Sequence, residues 1–242
     1  MGTNKLYEPT GVAKDTNLNL YIADKKNNAI RLLNASGYLS TIVTGLNSPN
    51  DVATGVDGLV FIADTGDTTV KLWNATSNTT STVVSNLKLP KGIAADPFGN
   101  VYIADTYNNA IKFWNASSNS TATIVSSGLT EPYGVGIDSL GNIFIADTHA
   151  NAIRMWNTTN ATLVTLVSSG LNSPRSIAVD RNGNAYFSDT LNAAIKMWNA
   201  SSNAVTTVLS SGLSDPVGIA LDAADNIYIA VKNENIVIKY YN

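Results

Sequence analysis

The sequence predicts an all-β fold, a six-bladed β-propeller of four-stranded antiparallel blades, from three observations. Six of the seven prolines (Pro9, Pro49, Pro90, Pro132, Pro174 and Pro216) are spaced by 40, 41, 42, 42 and 42 residues. An apolar run ending in an acid keeps the same register at Asp24, Asp64, Asp105, Asp147 and Asp189, and a sixth copy, Tyr228–Val231, lacks the acid. Nine residues beyond the acid stand Leu33, Trp73, Trp114, Trp156 and Trp198. A fixed period near 40 residues, with strand-like and not helical patterning, is the signature of a propeller.

The third copy shows why each element forms. Gly92–Asp96 reads as a first strand, stopped by the turn Pro97-Phe98-Gly99-Asn100. Val101–Asp105 is the second strand, and Thr106–Asn109 turns the chain into the third, Ala110–Trp114. Asn115–Asn119 is a further polar turn before a fourth strand, Thr121–Val125. The units run approximately over 8–47, 48–88, 89–130, 131–172, 173–214 and 215–242 plus 1–7, as one domain over 1–242. A single four-stranded sheet cannot bury both its faces, so sheets must stack about an axis. Leu33 and the four tryptophans are expected between blades, each indole burying about 200 Å², or roughly 5 kcal/mol before entropy.

The sixth copy ends at Asn242, just after its third strand. Either residues 1–7 pair weakly with Lys239–Tyr241 and close the ring, or the sixth blade keeps three strands and an open edge. An open edge invites self-association.

Beyond the spacing, the string Pro132-Tyr-Gly-Val-Gly-Ile-Asp-Ser-Leu-Gly-Asn-Ile-Phe-Ile-Ala-Asp147 resembles the NHL-repeat pattern, Pro-x-Gly-apolar-Ala-apolar-Asp followed by Gly-Asn-apolar-Tyr-apolar-Ala-Asp. The resemblance covers essentially the whole chain. It departs from the family at the turn Asn108-Asn109-Ala110, where that family often has His and no copy here does. WD40 repeats are the runner-up, but no Gly-His pair occurs. The resemblance implies a module that presents one end to a partner.

Composition narrows the function. Charged residues are 14% of the chain and the net charge is −3, so a dedicated nucleic-acid binder is not expected. No apolar stretch is long enough for a membrane span. Cysteine is absent, and one histidine with three glutamates offers little for acid–base or metal chemistry. No cofactor or metal is expected. The repeat acids Asp24, Asp64, Asp105, Asp147 and Asp189 would lie about 10 Å apart, too far to share an ion, and are read as caps on the following turn. The basic series Arg31, Lys71, Lys112, Arg154 and Lys196 is read as aliphatic stems lying over rings, with the charges in water. Eight Asn-x-Ser/Thr sequons, beginning at Asn34, Asn74, Asn78, Asn115, Asn119, Asn157, Asn160 and Asn199, are read as turn residues.

Positions that vary on the uniform frame are the candidate site. Thr10, Asn50, Lys91, Tyr133, Arg175 and Val217 follow the repeat prolines, while Lys26, Gly66, Tyr107, His149, Leu191 and Asn233 lie two residues after the repeat acid. Both sets should fall at one end, where Lys26, Lys91, Tyr107, Tyr133, His149 and Arg175 would form an aromatic–basic patch. The expectation is a non-catalytic binding or scaffold propeller for a protein, peptide or glycan, from an extracytoplasmic portion of a larger protein. The alternatives are a divalent-cation-dependent hydrolase or lyase at the channel mouth, and an artificial, reconstructed or recently amplified repeat without an evolved ligand.

Overall fold

A computed structural model describes residues 5–241 and shows an all-β six-bladed propeller, with five sheets of four antiparallel strands and a sixth of three. Blade one comprises Pro9–Lys14, Leu20–Asp24, Ala29–Leu33 and Leu39–Val43. The other blades repeat this up-and-down order. Their innermost strands are Pro49–Thr54, Ile93–Ala95, Pro132–Ile137, Pro174–Val179 and Pro216–Leu221, which contact one another around the axis. The innermost strand of blade three is shorter than the sequence reading because its entry is irregular: Lys91 N–H and Gly92 C=O both bond Ala104.

Hydrophobic burial is organised by seams. Six clusters of buried side chains occur, one between each pair of consecutive blades. The slot nine residues past the repeat acid always reaches back onto the preceding blade. Trp114 meets Phe61 edge-on at 5.9 Å, and Trp198 meets Phe144 at 6.2 Å. Trp73 and Trp156 join the clusters of blades one and three, and Leu33 seals blade one against blade six. Tyr240 takes the slot in blade six.

The ring closes through the N-terminal link. Tyr7 N–H donates to Asp24 Oδ1 at 2.7 Å, and Glu8 N–H donates to Asn235 Oδ1 at 2.7 Å, across 227 positions of chain. The same side-chain bonds recur inside the chain, from Ser48 to Asn28, Glu131 to Asn109 and Ser173 to Asn151. Each of these asparagines adopts the left-handed backbone that ends a tight turn, a conformation Asn tolerates better than most residues. The third strand of blade six, Ile236–Tyr240, is the outermost strand of its sheet among the described residues. The expected pairing of residues 1–7 falls partly on residues 1–4, which lie outside the described residues.

Two sequence readings are corrected here. The repeat acids do not cap the backbone of the following turn. Asp24, Asp64, Asp105, Asp147 and Asp189 are fully buried. Each accepts, on Oδ1, the N–H of the link 17 residues upstream at 2.6–2.7 Å. Oδ2 faces the basic series, with Arg31, Lys71, Arg154 and Lys196 at 2.7, 2.5, 2.6 and 2.6 Å and Lys112 at 3.8 Å. In blades one, three and five it also accepts the side-chain N–H of Asn27, Asn108 and Asn192 in the following turn. A buried carboxylate is costly without a counter-charge, so the cation turns inward to the acid. The true hairpin caps are other acids. Asp15, Asp96, Asp138, Asp180 and Asp222 each accept the N–H four residues on. The asparagines of the sequons also serve turns: Asn74 and Asn115 accept N–H groups of the turns they open, while Asn78 and Asn119 hold the indole N–H of Trp73 and Trp114.

Candidate functional site at the proline-link mouth

Each inter-blade link lies against the turn that follows the repeat acid. Backbone bonds tie Lys26 to Tyr7, Gly66 to Asn47, Tyr107 to Lys88, His149 to Thr130 and Leu191 to Asn172. Both variable sets therefore sit at one end of the barrel. Thr10, Asn50, Lys91, Tyr133, Arg175 and Val217, one from each blade, together line a narrow funnel of about 20 Å³.

The floor of the funnel is backbone. At the second position after the repeat proline, four blades have Gly11, Gly92, Gly134 and Gly218. A Cβ at Gly92 would lie 2.1 Å from Tyr133 O, and one at Gly218 the same distance from Thr10 O. Adjacent inner strands touch here without side chains between them. Only Asp51 and Ser176, on opposite blades, carry a side chain at this level. Both reach forward to the next blade: Asp51 Oδ2 accepts Ile93 N–H at 3.0 Å, and Ser176 Oγ accepts Ile219 N–H at 3.1 Å. Burial pushes the Asp51 carboxyl up to about 7, although the N–H groups of Ile93 and Val52 favour its charged form.

Above the floor lies the aromatic–basic group. Lys91 Nζ stands 5.6 Å from the centroid of the Tyr133 ring. His149 is a second neighbour of that ring, its own ring 6.5 Å from Tyr133 and its Nδ1 3.2 Å from Glu131 Oε2. Burial pushes the Tyr133 hydroxyl up, and Arg175 pulls it down. Arg175 Nη1 is 3.4 Å from Asp215 Oδ1. Tyr107 is half exposed and electrostatically coupled to Tyr133. Of the six patch residues expected from sequence, Lys91, Tyr133 and Arg175 line the funnel, His149 neighbours Tyr133, and Tyr107 and Lys26 stand exposed on the turns of blades three and one.

Lys25 was missed by the sequence reading. It occupies the position after the repeat acid, which is Thr65, Thr106, Thr148 and Thr190 in blades two to five. Those hydroxyls donate to the proline carbonyl of the next blade at 2.6–2.8 Å. In blade one Thr10 Oγ1 contacts that carbonyl instead, at 3.3 Å, and Lys25 is released from the frame. The signal was present: Lys25 and Lys232 are the two departures from threonine in that column.

The opposite end holds a larger cavity, about 700 Å³, lined among others by Lys14, Asp15, Tyr21, Asp57 and Asp96. Asp15 and Asp96 there are committed to their own hairpins, through Asn19 and Asn100. Among the described residues no group of three or more His, Cys, Asp or Glu side chains has the arrangement to hold a metal ion.

No family model and no curated protein matches the chain. Many solved structures share its fold. A chain of a nidogen/laminin complex is 19% identical, with TM-score 0.79, over 88% of this chain and 84% of that one. A streptogramin B lyase is 13% identical, with TM-score 0.77, over 100% and 85%. A gluconolactonase from Xanthomonas campestris is 11% identical, with TM-score 0.84, over 98% and 86%. At these identities the likeness is one of fold, and it spans both enzymes and proteins of molecular assemblies.

Proposed function

We propose that this chain is an NHL-type propeller that binds a protein, peptide or glycan at its proline-link mouth without catalysing a reaction on it. One observation carries the reading. The six post-proline residues differ from blade to blade on a nearly uniform frame, and all six line the same funnel. Structural selection alone would favour one residue type at six equivalent positions. The chemistry of the patch, an aromatic ring flanked by Lys91, His149 and Arg175, suits an interface anchor. The mouth is ringed by cations, which argues against a divalent ion held there.

Peptide and glycan arrays probed in parallel with the wild type and with a Tyr107→Ala/Tyr133→Ala/Arg175→Ala variant test this. The wild type should give hits that vanish in the variant, while its melting temperature stays within a few degrees. Hits that persist in the variant would move the site elsewhere. Arrays without hits would favour a repeat lacking an evolved ligand. Calorimetric titration with Ca²⁺, Mg²⁺ and Zn²⁺ addresses the enzyme alternative, since tight binding would revive a hydrolase or lyase.

A further inference from the structure

Below about pH 7, where the Asp51 carboxyl on the funnel floor keeps its proton, positive charge at the mouth exceeds what its acids neutralise. Asp215 is shared between Arg175 and Lys232, at 3.4 Å from each, and Glu8 stands 3.8 Å from Lys232. Glu131 faces His149. Neither Lys25 nor Lys91 has an acidic partner within 4 Å among the described residues. Lys91 has the Tyr133 ring as its neighbour. Arg175 is under-satisfied too: its Nε is buried with no hydrogen-bond partner, and its contact to Asp215 is long. This cationic concentration occurs in a chain whose net charge is −3.

We propose that Lys25, Lys91 and Arg175, which come from blades one, three and five, form an anion-binding site over the channel that takes the carboxylate or phosphate group of a ligand. Every second blade contributes one cation: Lys91 and Arg175 line the funnel, and Lys25 lies near enough for its charge to act on Lys91. The part-exposed Arg175 guanidinium, held by one long contact, and the Lys91 ammonium are the donors such a group requires, and a guanidinium matches a two-oxygen anion well. Tyr133 supplies a flat wall for whatever the anion is attached to. Electrostatics agree with the geometry. Burial, together with the charges of Lys25 and Arg175, pushes the Lys91 ammonium down to about 8, and Glu131 alone opposes that fall. Burial and like charges, Lys232 and Arg175 among them, push Lys25 down as well. An anion bound among these groups would relieve the repulsion. The proposal rests on the mouth being the binding end and adds the class of group it recognises.

Titration of the intact chain with sodium phosphate and, separately, with N-acetylglycine as a mimic of a peptide C-terminus tests it. Lysine side-chain NMR provides the readout, with Lys91 assigned from Lys91→Arg. Saturable shifts at Lys91 are expected with at least one probe, and the titration midpoint of Lys91 should rise above its free value near 8. Because the charged ammonium holds the anion and the Asp51 carboxyl on the funnel floor gains its own negative charge near pH 7, affinity should fall as pH rises from about 6 to 9. In Asp51→Ser the fall should be confined to about 8 to 9. Lys91→Met and Arg175→Gln should each weaken binding tenfold or more, while Arg181→Gln at the opposite end leaves it unchanged. If either mouth variant melts markedly lower, Lys25→Gln replaces it and should weaken binding several-fold. A response to phosphate alone assigns a phosphorylated ligand, and a response to N-acetylglycine assigns a carboxylate. Failure of both probes, or binding unchanged in the mouth variants, overturns the anion site. If array hits are still lost in the Tyr107/Tyr133/Arg175 variant, the wider reading of the mouth stands without it.

Discussion

Blade four buries Asp147 with the part-exposed Arg154 2.6 Å from it, whereas blade six has Val231 and Ile238 at the same two positions. The strand registers are equivalent, since Ile145 pairs with Arg154 and Ile229 with Ile238. Acid and base have been lost together. An apolar pair satisfies the sheet interior without desolvating charge, and such replacements are often neutral or stabilising. What the apolar pair cannot do is accept the backbone N–H of the incoming link, which Asp147 takes from Thr130. The ion pair thus serves mainly to anchor the link between blades.

Breaking half of the pair should show the largest effect. Asp147→Val leaves the part-buried Arg154 without its carboxylate and the Thr130 N–H without its acceptor, and we expect a loss of about 3–5 kcal/mol in urea unfolding. Val231→Asp, which adds the acid to blade six without its base, should cost a similar amount. A loss below about 1 kcal/mol in both would mean that water reaches these positions.

An acid with no cationic partner sharpens the contrast. Asp51 is pushed up to about 7 when folded, against about 3.9 when unfolded. Between these values the unfolded chain has released a proton that the folded chain retains. The contribution of Asp51 to stability is therefore greatest below about pH 4, declines as pH rises, and levels off above about 7, by about 2–4 kcal/mol in all. Asp51→Ser should remove this component, because Ser176 shows that a hydroxyl at the equivalent position can accept the next blade's N–H. An Asp51→Ser profile that parallels the wild type would assign the slope to other groups.

The smallest effect belongs to the double replacement Asp147→Val/Arg154→Ile, which copies blade six into blade four. It should recover most of the single-variant loss and remain about 1–2 kcal/mol below the wild type, the residue being the orphaned Thr130 N–H. Full loss in the double variant would show that the pair itself, and not the link, carries the stability.

The wheel was legible in the sequence because its period survives drift: proline, acid and tryptophan recur in fixed register, and burial at the seams demands it. The mouth was legible as the places where the copies disagree. The task of the repeat acid was not. Asp147 answers to Thr130, 17 residues before it, and to Arg154, seven after, and such partners become neighbours only once strands pair and links fold over. Local turn chemistry pointed to the acid nearest a turn, although the side chains that cap hairpins are those of Asp96 and its counterparts. Lys25 escaped notice because its column, directly after the repeat acid and mostly threonine, lies outside the two variable sets.

Backbone contact at Gly11, Gly92, Gly134 and Gly218 fixes how closely neighbouring sectors can approach the axle. A methyl group at any one of them would wedge two sectors apart, and a closed circle offers no free arc into which the displacement could go. The remaining five sectors would have to splay in concert. Tolerance to substitution at the hub is for that reason a property of the whole circumference, and a gene gaining or losing one copy must re-solve the hub at every position at once.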